Sequence, residues 1–137
     1  DVYKRQVEKI KKLVGDDLSS KKIAAWGLSF KSNTDDTRFS PAVSVIALLL
    51  EENAKVFAFD PVVKNLDLAG LTVCDEINQC VEGADVIVLL TEWPFFQNVD
   101  PNTISKSVKS KNIVDSRNIL DKSKWEKSGF KFIGNGI

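Results

Sequence analysis

The chain has 137 residues, 43% of them hydrophobic, with Lys+Arg and Asp+Glu balanced at 19 each. That length suits one domain with a proper core. Zero net charge predicts neither a nucleic-acid nor a membrane surface, each of which needs a basic excess or patch.

Other absences narrow the chemistry. There is no His, so imidazole general-base catalysis and His metal sites are excluded within the chain. There is no Met, so the expectation is a piece of a longer protein. Cys74 and Cys80 do not make a disulfide scaffold. The apolar run from Ala42 to Leu50, broken by Ser44, is too short to span a bilayer. No basic start with an apolar core marks a signal peptide. A soluble, cytoplasmic setting is expected.

The elements read in order as follows. Val2 to Leu13 is helical, with Val7, Ile10, Leu13 and Val14 at helical spacing and Gly15 as the stop. Lys22 to Gly27 is a strand apolar on both faces, the mark of a central parallel strand. A long polar loop leads to Ser40, an N-cap, and Pro41, which opens a helix to about Asn53. Its inward face is expected to be Val43, Ile46, Ala47 and Leu50. A second strand spans Lys55 to Phe59, closed by Asp60-Pro61. Leu71 to Val73 is a short third strand, and Asp75 caps a helix through Val81. Asp85 to Leu90 is the fourth strand, and Thr91-Glu92-Trp93-Pro94 leaves its carboxyl end. Asp100-Pro101 starts another helix. Asn112 to Val114 is the fifth strand, followed by Asp115-Ser116-Arg117-Asn118. A helix around Asp121 to Lys127 and a strand, Lys131 to Ile133, complete the chain.

This alternation predicts an α/β fold: a three-layer Rossmann-like sandwich with a mostly parallel sheet in the order 3-2-1-4-5-6, preceded by a linking helix. Residues 1–18 read as the end of that connection and 19–137 as the domain.

In that order strands one, four and five are neighbours. Their loops deliver Lys31, Glu92 with Trp93, and Arg117 to one sheet edge, the edge where open α/β sheets bind ligands. Strands one and five lie about 10 Å apart, so Lys31 and Arg117 can meet over one diphosphate as an anion clamp. Position alone favours the plainer reading of two solvated surface cations, common on any α/β edge. Arg38 either reaches a phosphate or pairs with Asp35 or Asp36. The acidic pair reads as a loop organiser through backbone amides rather than a metal site. Trp93 reads as a lid or as packing. Phe39 reads as exposed, facing a further domain. Asp60 stands where a dinucleotide fold keeps its ribose-binding acid. The first loop, however, is Gly27-Leu28-Ser29-Phe30-Lys31 and not G-x-G-x-x-G, so Asp60-Pro61 reads as a turn and ordinary NAD binding here is not expected. Cys74 and Cys80 read as buried structural thiols.

The run from Gly27 to Pro41, Gly-Leu-Ser-Phe-Lys-Ser-Asn-Thr-Asp-Asp-Thr-Arg-Phe-Ser-Pro, closely resembles the signature of the C-terminal, UDP-binding domain of the UDP-glucose 6-dehydrogenase (UDP-glucose/GDP-mannose dehydrogenase) family. Phe59-Asp60-Pro61, Thr91-Glu92-Trp93 and Asp115-Ser116-Arg117-Asn118 look like its other landmarks, in order, and the match covers about Lys21 to Gly136. The resemblance implies oxidation of UDP-glucose to UDP-glucuronate with NAD, through a thioester on a cysteine. It implies that Phe30, Lys31 and Arg117 bind the UDP-sugar, and that Arg38 reaches the NAD phosphates. NAD itself would be held mainly by an N-terminal domain, the expected partner, in a homo-oligomer. The family's catalytic cysteine precedes this region, and neither Cys74 nor Cys80 sits in a matching motif, so this segment alone is expected to be inactive. Ser32, Phe39 and Ser116 depart from the usual Pro, Glu and Gly, and Gly134-Asn135-Gly136-Ile137 lacks a terminal Arg common in the family.

Two alternatives stand beside this reading. One is a stand-alone nucleotide-binding or interaction module. The other is a related UDP-N-acetylmannosamine or GDP-mannose dehydrogenase, although the run Thr34 to Arg38 looks more like the glucose enzymes. A phosphoacceptor receiver domain is set aside because Asp35-Asp36 lies too far past the strand end.

Overall fold

A computed structural model describes residues 1–135; Gly136 and Ile137, the last part of the divergent terminus, lie outside the described residues. The elements are α1 (Val2–Val14), β1 (Lys22–Trp26), α2 (Pro41–Glu51), β2 (Lys55–Phe59), β3 (Leu71–Val73), α3 (Ile77–Val81), β4 (Val86–Leu89), α4 (Pro94–Gln97), α5 (Pro101–Ser105), β5 (Asn112–Asp115), α6 (Lys122–Lys127) and β6 (Lys131–Ile133). The six strands form one sheet in the order β3-β2-β1-β4-β5-β6, with every pairing parallel. The expected topology and layers are therefore present.

Side chains alternate across a strand, so each buried strand supplies both faces. Ile23, Ala25, Val86, Val88 and Val114 face α1 and α2. Ala24, Trp26, Ile87, Leu89 and Ile113 face the other layer, with Cys80, Phe96, Ile104 and Trp125. Trp26 stacks on Phe96 at 5.1 Å between centroids and meets Trp125 edge-on at 5.8 Å.

Asp1 caps α1 by accepting from the Tyr3 and Lys4 amides, and Gly15 ends it with φ 99°. Val7 and Ile10 are buried in the same core as α2, while Leu13 and Val14 lie at its margin.

Two expectations need correction, and one element was not expected. The buried face of α2 is Ala42, Val45, Ile46 and Leu49; of the four residues expected there, only Ile46 is buried. The helix is apolar nearly all round, so its periodicity left the face ambiguous, and packing against α1 chose it. The cap of α3 is Glu76, not Asp75, with the Glu76 amide donating to Gln79 Oε1 at 3.3 Å. A short helix, α4, was not foreseen: Pro94 opens it and it buries Phe96. Four residues are too few to carry a period.

Candidate functional site

Strand register sets the site. Trp26 pairs with Phe59 on one side and Leu89 on the other, and Leu89 pairs with Asp115. Four strands thus end in one row. Asp60, the loop after Trp26, Glu92 and Arg117 leave from that row, with neighbouring strands spaced about 4.8 Å.

A buried knot holds the row together. Asp60 is fully buried. Its Oδ2 accepts from the amides of Leu28 at 2.8 Å and Ser29 at 3.1 Å and from Trp93 Nε1 at 3.2 Å. Its Oδ1 accepts from the amides of Val62 and Val63, both at 2.9 Å. The turn reading of Asp60-Pro61 is correct but incomplete, because the carboxylate also joins three loops. Trp93 is packing, not a lid: it is buried, and Nε1 also donates to Ser29 Oγ at 3.1 Å. Thr91 Oγ1 donates to Ser29 O at 2.9 Å. Gly27, at φ 104°, lies so close to this loop that an added Cβ would sit 2.4 Å from Thr91 Cβ.

From the knot the β1–α2 loop emerges into solvent. Phe30 and Lys31 are exposed, and Lys31 makes no ion pair among the described residues. The Phe30 amide donates to Asp36 O at 2.7 Å. Arg38 forms a two-pronged pair with Asp36, Nε to Oδ1 at 3.1 Å and Nη2 to Oδ2 at 3.0 Å, and its own amide donates to Oδ1. Of the two acids it is Asp36 that organises the loop. That pairing, led by the Arg38 side chain and then the Arg38 amide, holds the Asp36 carboxyl below its ordinary range. Phe39 is 92% exposed and adopts φ 55°, the left-handed region.

Arg117 leaves the β5 edge on a loop wired by a second buried acid. Asp115 is fully buried; its Oδ1 accepts from the amides of Arg117 and Asn118, and its Oδ2 from those of Ile119 and Leu120. Ser116 is not among the residues with positive φ; Asn118 is, at 56°. The Gly-to-Ser departure therefore imposes no backbone strain. The Arg117 guanidinium pairs through Nη2 with Glu92 Oε2. Burial alone pushes the Glu92 carboxyl up, but the Arg117 guanidinium helps to outweigh it and the carboxyl lies below its ordinary range. Glu92 Oε1 is buried with no hydrogen-bond partner. Sequence reasoning brought Glu92 to this edge but did not foresee it as the partner of Arg117.

Asp60 and Asp115 were missed as organisers. Their signal was faint: an Asp at a strand end before a turn is the usual source of a side chain that caps following amides.

A surface cleft of about 360 Å³ lies beside β5 and β6 and is lined by Asp115, Asn118, Lys122 and Phe132 among others. Neither Lys31 nor Arg117 lines it, so it is not the clamp; those residues stand on an open edge. Burial pushes both thiols up, and Cys80 Sγ lies 3.1 Å from Phe57 O. Both cysteines are buried and free, with little thiolate character at neutral pH.

A dinucleotide does not fit the first βα turn. Backbone approach there needs open glycines, and Gly27 is covered by Thr91. Asp60, the position of a ribose-binding acid, is fully buried and already accepts from five N–H groups. The edge instead carries two exposed cations, Lys31 after β1 and Arg117 after β5, on either side of the loop that follows β4. Among the described residues no helix is long and apolar enough to cross a membrane.

The fold defines a Rossmann-like α/β module without the dinucleotide fingerprint. Residues 24–122 match the family model of the UDP-glucose/GDP-mannose dehydrogenase family, UDP binding domain, and the chain belongs to that family. It is 39% identical over 135 residues to UDP-glucose 6-dehydrogenase of Rickettsia conorii, covering 95% of this chain and 31% of that protein. It is 38% identical over 135 residues to UDP-N-acetyl-D-mannosamine dehydrogenase of Methanocaldococcus jannaschii, covering 95% of this chain and 30% of that protein. The structure of UDP-D-ManNAc dehydrogenase from Pyrococcus horikoshii superposes with a TM-score of 0.79 at 34% identity, covering 98% of this chain and 30% of that one. The chain thus spans about a third of the length of these relatives.

Proposed function

We propose that this chain is the UDP-sugar-gripping part of an NAD-dependent UDP-glucose 6-dehydrogenase. The observation that carries the reading is the row of strand ends, Trp26, Leu89 and Asp115, from which Lys31 and Arg117 leave toward one edge, in a chain of this family. Lys31 and Arg117 hold the diphosphate, and the exposed ring of Phe30 lies against the nucleotide sugar. Lys supplies a mobile charge and Arg a planar fork.

Arg38 exchanges Asp36 for an NAD phosphate presented by a separate N-terminal domain. The dinucleotide itself sits on that domain, and the catalytic nucleophile belongs outside this chain. α1 is the end of the connection to it. The whole protein works as a cytoplasmic homo-oligomer, making UDP-glucuronate as a polysaccharide precursor. The relative from Methanocaldococcus jannaschii favours a second reading at almost equal identity, with UDP-N-acetylmannosamine as the sugar.

Calorimetric titration of the chain with UDP, UDP-glucose and NAD tests the grip. UDP and UDP-glucose are expected to bind, and NAD not. Lys31→Ala and Arg117→Ala are each expected to weaken UDP more than tenfold, since a hydrogen bond to a charged group is worth about 1.5–3 kcal/mol. Affinity unchanged by either substitution overturns the clamp. In the longer protein, NADH formation with each sugar nucleotide decides between glucose and N-acetylmannosamine.

A further inference from the structure

The two arginines of this edge pair differently. Arg38 and Asp36 form a complete fork, two donors on two oxygens, in a pair whose arginine side chain is 82% exposed. Arg117 and Glu92 share a single hydrogen bond through Nη2, although both side chains are less exposed, at 38% and 30%. Glu92 Oε1 is buried and makes no hydrogen bond of good geometry, although the Glu92 and Ser32 backbone amides lie near the carboxylate and help to keep it ionised. An under-satisfied buried acceptor is costly, so this pair is a weaker stabilising bridge than the complete fork of Arg38 and Asp36.

Its place in the fold is also distinctive. Glu92 leaves β4, the strand between β1 and β5. Its carboxylate therefore stands between the loop that carries Lys31 and the loop that carries Arg117. The Arg117 backbone is already set by the four amides that donate to Asp115, so Glu92 acts on the guanidinium and not on the loop.

We propose that Glu92 is a stand-in anion: its carboxylate occupies Arg117 in the ligand-free chain and is displaced by a ligand phosphate. This rests on the reading of Arg117 as a diphosphate ligand. The ligand class is a nucleoside diphosphate, with at least two negative charges to outcompete one carboxylate. The pairing keeps the guanidinium neutralised when the site is empty. It sets a threshold of charge, since an anion must match Glu92 and also recruit Lys31. It also lowers affinity, because displaced Glu92 remains as a like charge beside the phosphate.

The test compares UDP with uridine, which has no phosphate, on the wild-type chain and on Glu92→Gln, Arg117→Ala and the double substitution, by calorimetry with circular dichroism as a fold check. Glu92→Gln keeps the shape and removes the charge. UDP is expected to bind it about three- to tenfold more tightly than wild type, with uridine affinity unchanged and the gain lost in the Arg117→Ala background. Glu92→Gln binding UDP equally or more weakly, while Arg117→Ala still weakens it, overturns the stand-in role and leaves the clamp standing. UDP affinity indifferent to Arg117→Ala, or absent in wild type and Glu92→Gln alike, overturns the clamp and the stand-in role together. A gain that persists without Arg117 assigns the effect to Lys31 or the general field and overturns the stand-in role.

Discussion

Trp93 Nε1 donates to Asp60 Oδ2 across 3.2 Å, joining the loop after β4 to the turn after β2 past the end of β1. The same carboxylate oxygen accepts from the Leu28 and Ser29 amides. One buried acid therefore positions the root of the Phe30-Lys31 segment. Removing it leaves several buried donors unpaired. Asp60→Ala is expected to cost about 3–5 kcal/mol of stability. Trp93→Phe, which deletes one donor and part of a ring system, is expected to cost markedly less. Urea unfolding of the two variants checks this ordering, and equal losses would contradict the hub role of Asp60.

Gly27 and Gly15 make a controlled pair. Both have φ near 100°, but an added Cβ meets nothing within 4 Å at Gly15 and meets Thr91 Cβ at 2.4 Å at Gly27. Gly15→Ala carries only backbone strain, about 1 kcal/mol. Gly27→Ala adds overpacking against Thr91 and is expected to cost about 3 kcal/mol or more. Denaturant midpoints separate the two, and similar losses would show that Thr91 yields freely.

Phe39 is a β-carbon-bearing aromatic in the left-handed region with almost its whole surface in water. Neither feature stabilises this chain. Asn tolerates that backbone better. Phe39→Asn is expected to raise the melting temperature by about 2–4 °C. A lower melting temperature would mean that the ring packs usefully within the domain.

The Glu92 carboxyl is depressed in the folded chain, so its pair with Arg117 stabilises above the unfolded carboxylate's pKa. That contribution is lost as pH falls through the lowered folded value. The pair is partly solvated, so its worth is below about 1 kcal/mol. The melting temperatures of wild type and Glu92→Gln are expected to differ at pH 7 and to converge well below pH 4. A gap that widens on acidification would refute the pairing.

The sequence by itself determined the strand order, the parallel sheet and the edge. Apolar runs bounded by turn residues locate strands wherever they finally lie, and right-handed crossovers leave few ways to order them. The β1 strand, Lys22–Trp26, and the Ser40-Pro41 helix start are local in this sense, legible from neighbouring residues alone.

Tertiary structure decided everything that depends on distant partners. The inward face of α2 follows from α1 and the sheet, because an almost wholly apolar helix has no preferred side until a neighbour is chosen. Asp60 and Asp115 look like ordinary turn acids in sequence. Only the folded chain buries both of them, and only for Asp60 does burial gather donors from β1 and β4 loops far along the chain. Arg38 found its partner two residues away, as local chemistry allows, whereas Arg117 found Glu92 across 25 residues. That second pairing depends on register: β4 and β5 end level with each other, and the two charges meet because their loops leave the sheet side by side.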